Sequence, residues 1–201
     1  ATYWSYFGQV VILLLIQIGG MGVVTITIAV AMVSGKKIGL MQRSLMQESI
    51  SAPQVGGIVR FTGFFLKGIA LIELLGAILL APVFIKDFGV GKGIWYGVFH
   101  SISAFCNAGF DLMGNQTGQY SSLTSFAGCG YVTLVICLLI MIGGIGFLTW
   151  KDIAVKKTRF KEYSMQTKVI LVTTAILIVI PAVFFFFSDF ANEPLKDRIC
   201  M

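Results

Sequence analysis

The sequence has few charged residues. Lysine, arginine, aspartate and glutamate make up 12% of its 201 residues, whereas an ordinary soluble domain carries about 25%. The hydrophobic share is 57%, and the charges are clustered, so long apolar runs remain between them. This composition excludes an ordinary soluble domain and predicts an integral membrane protein.

Cysteine and histidine are also scarce. The four cysteines form no Cys-x-x-Cys pair and no Cys/His metal spacing with the single histidine, which argues against a zinc-type site. We expect Cys106, Cys129, Cys137 and Cys200 to be buried, unpaired thiols. No nucleophile, metal cluster or pair of acids is placed to converge at one depth, so we predict no enzyme and no resident cofactor.

A secretory signal peptide is another missing feature. Ala1 to Phe7 contains no basic residue and the sequence has no initiator methionine. We therefore expect this chain to be the central part of a longer protein.

Four apolar segments are each long enough to cross a bilayer, namely 7–33, 58–85, 123–150 and 169–187. Segment 34–57 has three basic residues and one acid, and segment 151–168 has six basic residues and two acids. Basic loops remain in the cytoplasm, so both are predicted to be cytoplasmic in a multi-pass protein of the cell membrane. The net charge of +6 comes largely from these loops. It therefore indicates contact with membrane lipid and no nucleic-acid partner.

A shorter segment lies between the second and third spans. A helix over 93–105 is about 20 Å long, too short for a hydrocarbon core of about 30 Å. A helix that enters the membrane and returns as extended backbone must be shielded from lipid. Residues 93–111 therefore predict a re-entrant pore loop that enters from outside. An extracellular helix followed by an ordinary Asn-Ala-Gly turn is the alternative.

The chemistry of this loop points to cation transport. A dehydrated cation needs oxygen ligands, and backbone carbonyls supply them in potassium filters. Gly109 reaches the required dihedrals without a Cβ penalty. We predict a filter over Asn107, Ala108, Gly109 and Phe110, with K⁺ at the carbonyls of the first three. The negative end of the preceding helix dipole faces the same point.

Five other residues are accessory candidates. Ser101, Ser103 and His100 are predicted to brace the loop by hydrogen bonds. Asp111 either concentrates cations at the outer mouth or serves as a turn residue. Glu73, an acid near mid-membrane, either attracts a cation or pairs with a polar group on another span, because Lys67 does not share its helix face.

The chain contains an internal repeat. Residues 15–22, LIQIGGMG, recur as LIMIGGIG over 139–146, and both copies run in the same direction. Their glycines serve either as hinges or as sites of close helix packing. Two copies that run in the same direction indicate parallel structural repeats. The predicted units are 1–57, the second half of one repeat with its cytoplasmic loop; 58–150, a complete repeat; and 151–201, a loop and the first half of the next.

A family resemblance joins these features. Residues 99–110, FHSISAFCNAGF, resemble the second pore segment of the Trk/Ktr/HKT superfamily of potassium and sodium transporters. Residues 18–22 and 142–146 resemble its repeated outgoing helices. Within that superfamily the chain resembles the membrane-embedded component of Ktr-type potassium uptake systems. Cys106 departs from the second asparagine that many members carry.

The resemblance implies an all-α membrane fold of four repeats, each a span, a pore loop and a span, around one central pore. Only part of that ring is present here, and Gly109 is its one visible filter glycine. It further implies potassium uptake, a membrane homodimer and a cytosolic ring of nucleotide-binding regulatory subunits. A sodium-permeable member of the superfamily, and a secondary transporter with broken helices for a small solute, are the alternatives.

Overall fold

The computed structural model describes residues 1–22, 58–114, 118, 122–157 and 159–187. These residues form six α-helices, two short 3₁₀ turns and no strand, which confirms the all-α prediction for this part of the chain. The helices are α1 (Tyr6–Met21), α2 (Ile58–Phe88), α3 (Val90–Phe105), α4 (Gly130–Gly144), α5 (Phe147–Lys156) and α6 (Met165–Phe187).

In the described ranges, two helices are long and apolar enough to cross a membrane by themselves, over Gly63–Phe88 and Met165–Phe187. The predicted span 123–150 is not one helix, because a break at Ile145 and Gly146 separates α4 from α5. Gly146 has a φ of 88°, which interrupts the helical hydrogen-bond ladder. The two pieces form a third span only if they are counted together. Of the predicted span 7–33, the described part is α1 and Gly22.

The chain divides into two compact units. One contains Ala1–Ser122 and Val135–Gly144, and the other contains Leu123–Leu134 and Ile145–Met201. The first unit contains the predicted pore loop, and the second contains the second basic loop and α6.

In the first unit, α2 and α3 form an antiparallel hairpin. The chain turns at Gly89, whose φ of 82° favours glycine. A Cβ added at Gly97 of α3 would lie 3.0 Å from the carbonyl oxygen of Ala77 and 3.1 Å from the amide nitrogen of Ala81. Small residues therefore let the two backbones approach closely, as is common between membrane helices.

Aromatic rings fill the hairpin beyond this contact. The Phe84 ring centroid lies 5.3 Å from that of His100 and 6.4 Å from that of Tyr96. Phe84 and Phe99 are fully buried. Helix α1 joins the hairpin through Trp95, whose Nε1 donates to Oε1 of Gln9 over 2.8 Å. These contacts hold α3, the predicted pore helix, against α2 and α1.

The cysteine prediction was right about pairing and wrong about burial. Cys106, Cys129 and Cys137 are unpaired, but Cys106 and Cys129 are half-buried and Cys137 is exposed. An apolar helix in a membrane presents its side chains to lipid, so a small apolar thiol needs no protein cover there. Cys200 lies outside the described residues.

The second unit contains a polar contact between α5 and the start of α6. Oδ2 of Asp152 accepts hydrogen bonds from the Ser164 amide (2.9 Å) and the Thr167 hydroxyl (2.8 Å), and Oδ1 lies 2.9 Å from Nζ of Lys156. Burial raises the pKa of Asp152, but the hydrogen bonds from Lys156, Ser164 and Thr167 outweigh it and hold this pKa well below its usual range. Asp152 and Ser164 thus fix the N-terminus of α6.

Candidate cation filter

The filter candidate begins where the pore helix stops. Helix α3 ends at Phe105, and Cys106 is its C-cap. Asn107 then has a φ of 52° and Gly109 a φ of 71°. Asparagine is among the few residues other than glycine that accept the left-handed region readily. The two residues turn the backbone out of the helix and into a segment without regular secondary structure, 107–110, which we call the candidate filter strand.

The carbonyl groups of this strand differ in their partners. Among the described residues, the carbonyl oxygens of Asn107, Ala108 and Gly109 accept no hydrogen bond. The carbonyl oxygen of Phe110 accepts one from Oγ of Ser103, over 2.6 Å. Three consecutive carbonyl groups at the end of a short helix are therefore available to other ligands, which is the arrangement a dehydrated cation requires.

Ser103 holds this strand at two points. Its hydroxyl donates to Phe110, and its own carbonyl accepts from the amide of Ala108 over 2.9 Å. The side chain is 3% exposed. Ser103 therefore ties both sides of Gly109 to the pore helix.

His100 holds the segment that follows the candidate filter by hydrogen bonds. Its Nε2 lies 3.3 Å from the amide of Leu112, and its Nδ1 lies 2.7 Å from the carbonyl of Tyr96. Because a backbone N–H only donates, Nε2 accepts from Leu112, and Nδ1 carries the proton that is donated to Tyr96. Oδ1 of Asp111 accepts from the amide of Met113 over 2.8 Å, so Asp111 acts as a turn residue here.

Gly109 is required for its backbone conformation and not for lack of space. Among the described residues, no atom lies within 4 Å of a Cβ added at this position. Its φ is nevertheless one that L side chains rarely adopt, so any substitution strains the strand.

Helices α1 and α4 approach the end of the pore helix through glycines. A Cβ added at Gly20 would overlap the Cys106 side chain, and one added at Gly143 would overlap the carbonyl oxygen of Phe105. Beside the filter strand, an apolar hollow of about 400 Å³ is lined by α1 and by Cys106, Ala108 and Phe110. The strand therefore borders open space on one side.

Glu73 is buried close to the end of α3, with Oε1 4.0 Å from Sγ of Cys106. It is 8% exposed, and both carboxylate oxygens accept from Nε2 of Gln17, over 2.9 and 3.0 Å. Its backbone carbonyl accepts from Oγ of Ser101 over 2.7 Å. Pairing with a polar group on another span was one of the two alternatives that the sequence left open for Glu73, without a named partner. The available signal was the amide of Gln17, one of two glutamines in an otherwise largely apolar helix.

Apolar helices, and a short helix followed by three carbonyls that lack partners among the described residues, are the features expected of a membrane-embedded protein of the ion-transport class. Sequence comparison gives the family. The chain belongs to the TrkH family of cation transport proteins, which it matches over residues 1–191.

Individual relatives agree. The chain is 37% identical to the potassium/sodium uptake protein NtpJ of Enterococcus hirae over 179 residues, which is 89% of this chain and 38% of that protein. It is 38% identical to the Ktr system potassium uptake protein B of Bacillus subtilis over 191 residues, which is 95% of this chain and 41% of that protein. It is 27% identical to the Ktr system potassium uptake protein B of Vibrio alginolyticus over 191 residues, 94% of this chain and 41% of that protein. The chain spans about two fifths of the length of these relatives.

Proposed function

We propose that this chain belongs to a potassium uptake protein of the membrane and contributes one strand of its cation filter. The observation that carries the proposal is the row of three unpaired carbonyls at Asn107, Ala108 and Gly109, directly after a short helix. The names of the relatives, which specify uptake of potassium or of potassium and sodium, support the choice of cargo.

The proposed mechanism needs no chemical step. A potassium ion exchanges part of its water shell for carbonyl oxygens of the filter, and moves down its electrochemical gradient. The C-terminal end of α3 adds partial negative charge near the ion. Ser103 and His100 keep the strand in place, so the oxygens need not reorganise when the ion arrives. No catalytic residue is required.

The remaining oxygens come from parts of the protein outside this chain. We propose a ring of four repeats in the cell membrane, of which 58–150 is one complete unit. Loops 34–57 and 151–168 lie in the cytoplasm, and the pore loop enters from outside. A homodimer and a cytosolic nucleotide-binding ring are the proposed partners. The Ktr system names of the relatives support a multi-component assembly.

Sodium is the second candidate cargo. The relative from Enterococcus hirae is named for uptake of both potassium and sodium, and it is as similar to this chain as the Ktr protein of Bacillus subtilis. The alternative of an organic solute has no comparable support, because the matched family is described as cation transport.

Uptake by the complete parent protein tests the proposal. Cells that lack their own potassium uptake systems are supplied with ⁸⁶Rb⁺ or ²²Na⁺, with the parent protein or empty vector, and with or without the cytosolic partner. We expect Rb⁺ uptake well above vector. Preferred Na⁺ uptake would establish the second cargo. No uptake of either ion, with the protein present in the membrane and the partner supplied, would contradict cation transport.

A further inference from the structure

The side chain and backbone of Glu73 together connect three helices. Its carboxylate in α2 accepts both hydrogen bonds from Gln17 in α1, and its backbone carbonyl accepts from Ser101 in α3. Ser101 is fully buried. A single residue therefore ties the helix of the preceding repeat to the pore helix of the next.

This connection lies close to the residue that precedes the proposed filter. Sγ of Cys106 is 4.0 Å from Oε1 of Glu73. Cys106 precedes Asn107, the first filter residue, and it packs against Gly20, which lies about one helical turn after Gln17. We therefore expect a shift of α1 relative to α2 to displace Cys106 and, with it, the start of the filter strand.

The contact is made by hydrogen bonds and not by an ion pair. Within the described ranges, Glu73 forms no salt bridge, and Lys67 is exposed. Oε1 of Gln17 is buried and has no hydrogen-bond partner among those residues. An amide at position 73 can therefore donate to this oxygen while accepting from Nε2 of Gln17, with a rotation of the side-chain end.

The repeat provides an internal comparison. Met141 occupies the place of Gln17 in the second copy of the glycine motif, and the following span, Met165–Phe187, contains no aspartate or glutamate. The amide and the acid are thus both present in the first copy of the motif and the span that follows it. Both are absent from the second copy and the span that follows it. This is the pattern expected if each one requires the other.

We propose that Gln17 and Glu73 are a positioning pair that sets the cation preference of the filter through their hydrogen bonds. The proposal rests on the proposed function, because it concerns the same filter. The charge of Glu73 is not the property that matters, and neither side chain touches the ion.

The experiment compares four variants of the complete protein at matched amounts in the membrane. Glu73→Gln keeps the hydrogen bonds without the charge. Glu73→Leu keeps similar volume without either property. Gln17→Met reproduces the residue of the other repeat and breaks the pair from the opposite side. Gly109→Ser is the reference for direct damage to the filter. The readout is the ratio of ⁸⁶Rb⁺ to ²²Na⁺ uptake.

We expect Glu73→Gln to stay within about twofold of wild type, and Glu73→Leu and Gln17→Met each to lower the ratio about tenfold, the scale of one lost buried hydrogen bond. A ratio in Glu73→Gln as low as that of Glu73→Leu would overturn the proposal in favour of a charge effect. If Glu73→Leu fails to reach the membrane, Gln17→Met decides. An unchanged ratio in Gln17→Met would also overturn the proposal.

Failure of the proposed function has a different signature. A wild-type protein without cation uptake would overturn both proposals. Wild-type uptake that changes in Gly109→Ser, combined with unchanged ratios in Glu73→Leu and Gln17→Met, would overturn the positioning pair alone.

Discussion

The two copies of the glycine motif are alike in sequence and unlike in their contacts. Residues 15–22 end α1, and residues 139–146 end α4 and continue through the break. Each copy closes with a glycine of positive φ, 79° at Gly22 and 88° at Gly146. Both also approach the C-terminal end of the pore helix. The motif therefore combines a helix stop with close packing.

The glycine that makes the contact differs between the copies. In α4 it is Gly143, against the Phe105 carbonyl, whereas its counterpart Gly19 has no described residue within 4 Å of an added Cβ. In α1 it is Gly20, against Cys106, whereas an added Cβ at its counterpart Gly144 would lie 3.7 Å from Nδ2 of Asn107. The two copies of the motif thus need glycine at different positions, because different residues of each helix contact the end of α3.

The polar contacts that follow the two copies differ as well. The first copy is tied to the next span by Gln17 and Glu73, both within apolar helices. After the second copy, Asp152 binds the start of the next span at Ser164 and Thr167, in a segment rich in charge. We infer that the first contact serves the proposed filter and that the second fixes the start of the next span.

The largest difference is expected between alanine at position 143 and alanine at the equivalent position 19. Gly143→Ala places a methyl group against a backbone carbonyl that cannot rotate away, so we expect at least roughly a tenfold loss of folded protein and of Rb⁺ uptake, as in an overpacked core. Gly19→Ala is the control, and its helix gains about 0.5–1 kcal/mol. Size-exclusion profiles of the detergent-extracted protein measure the first quantity. Equal losses in both variants would refute the contact assignment.

A smaller difference is expected between Gly20→Ala and Gly144→Ala, where the glycine that makes the contact lies in α1. The added methyl group at position 20 overlaps Sγ of Cys106 and lies 2.7 Å from its Cβ, and rotation of the thiol relieves part of the overlap. We expect about threefold lower Rb⁺ uptake for Gly20→Ala, which corresponds to roughly 0.7 kcal/mol. Gly144→Ala should match wild type. A stronger effect at position 144 than at 20 would reverse the comparison.

The smallest effect is expected from Asp152, in the contact that follows the second copy of the glycine motif. Because hydrogen bonds lower the pKa of Asp152, its stabilising contribution is complete at neutral pH and declines only as the medium becomes strongly acidic. Asp152→Asn should lower the melting temperature by about 2–4 °C at neutral pH. The ratio of Rb⁺ to Na⁺ uptake should not change. A changed ratio would mean that this contact also acts on the filter.

The sequence predicted those features that depend on local pattern. The short helix before Asn107 follows from its length between two spans, and α3 extends over Val90–Phe105. The need for glycine at 109 follows from backbone sterics. Ser103 and His100 lie within about a dozen residues of the segment they hold, so their bracing role is also a local inference.

The features that the sequence did not predict depend on contacts between distant segments or on the exact path of a helix. Gln17 and Glu73 are 56 residues apart, and no periodicity relates them. The break at Ile145 and Gly146 lies within an apolar run whose composition is compatible with one continuous helix. The exposure of Cys137 depends on whether lipid or protein surrounds α4, which hydrophobicity does not distinguish.

The most direct test of the cation filter compares two glycines that share a strained backbone. Gly109 has a φ of 71° and Gly89 a φ of 82°, and in the part of the chain that the structure describes neither has a neighbour within 4 Å of an added Cβ. Serine therefore meets a positive φ without a steric overlap at both positions, but only Gly109 lies in the proposed filter. The measurement is the ratio of ⁸⁶Rb⁺ to ²²Na⁺ uptake by the complete protein at matched membrane amounts. A ratio that falls about tenfold in Gly109→Ser, with no change in Gly89→Ser, is the predicted result. Equal ratios in the two variants would contradict a filter at Gly109.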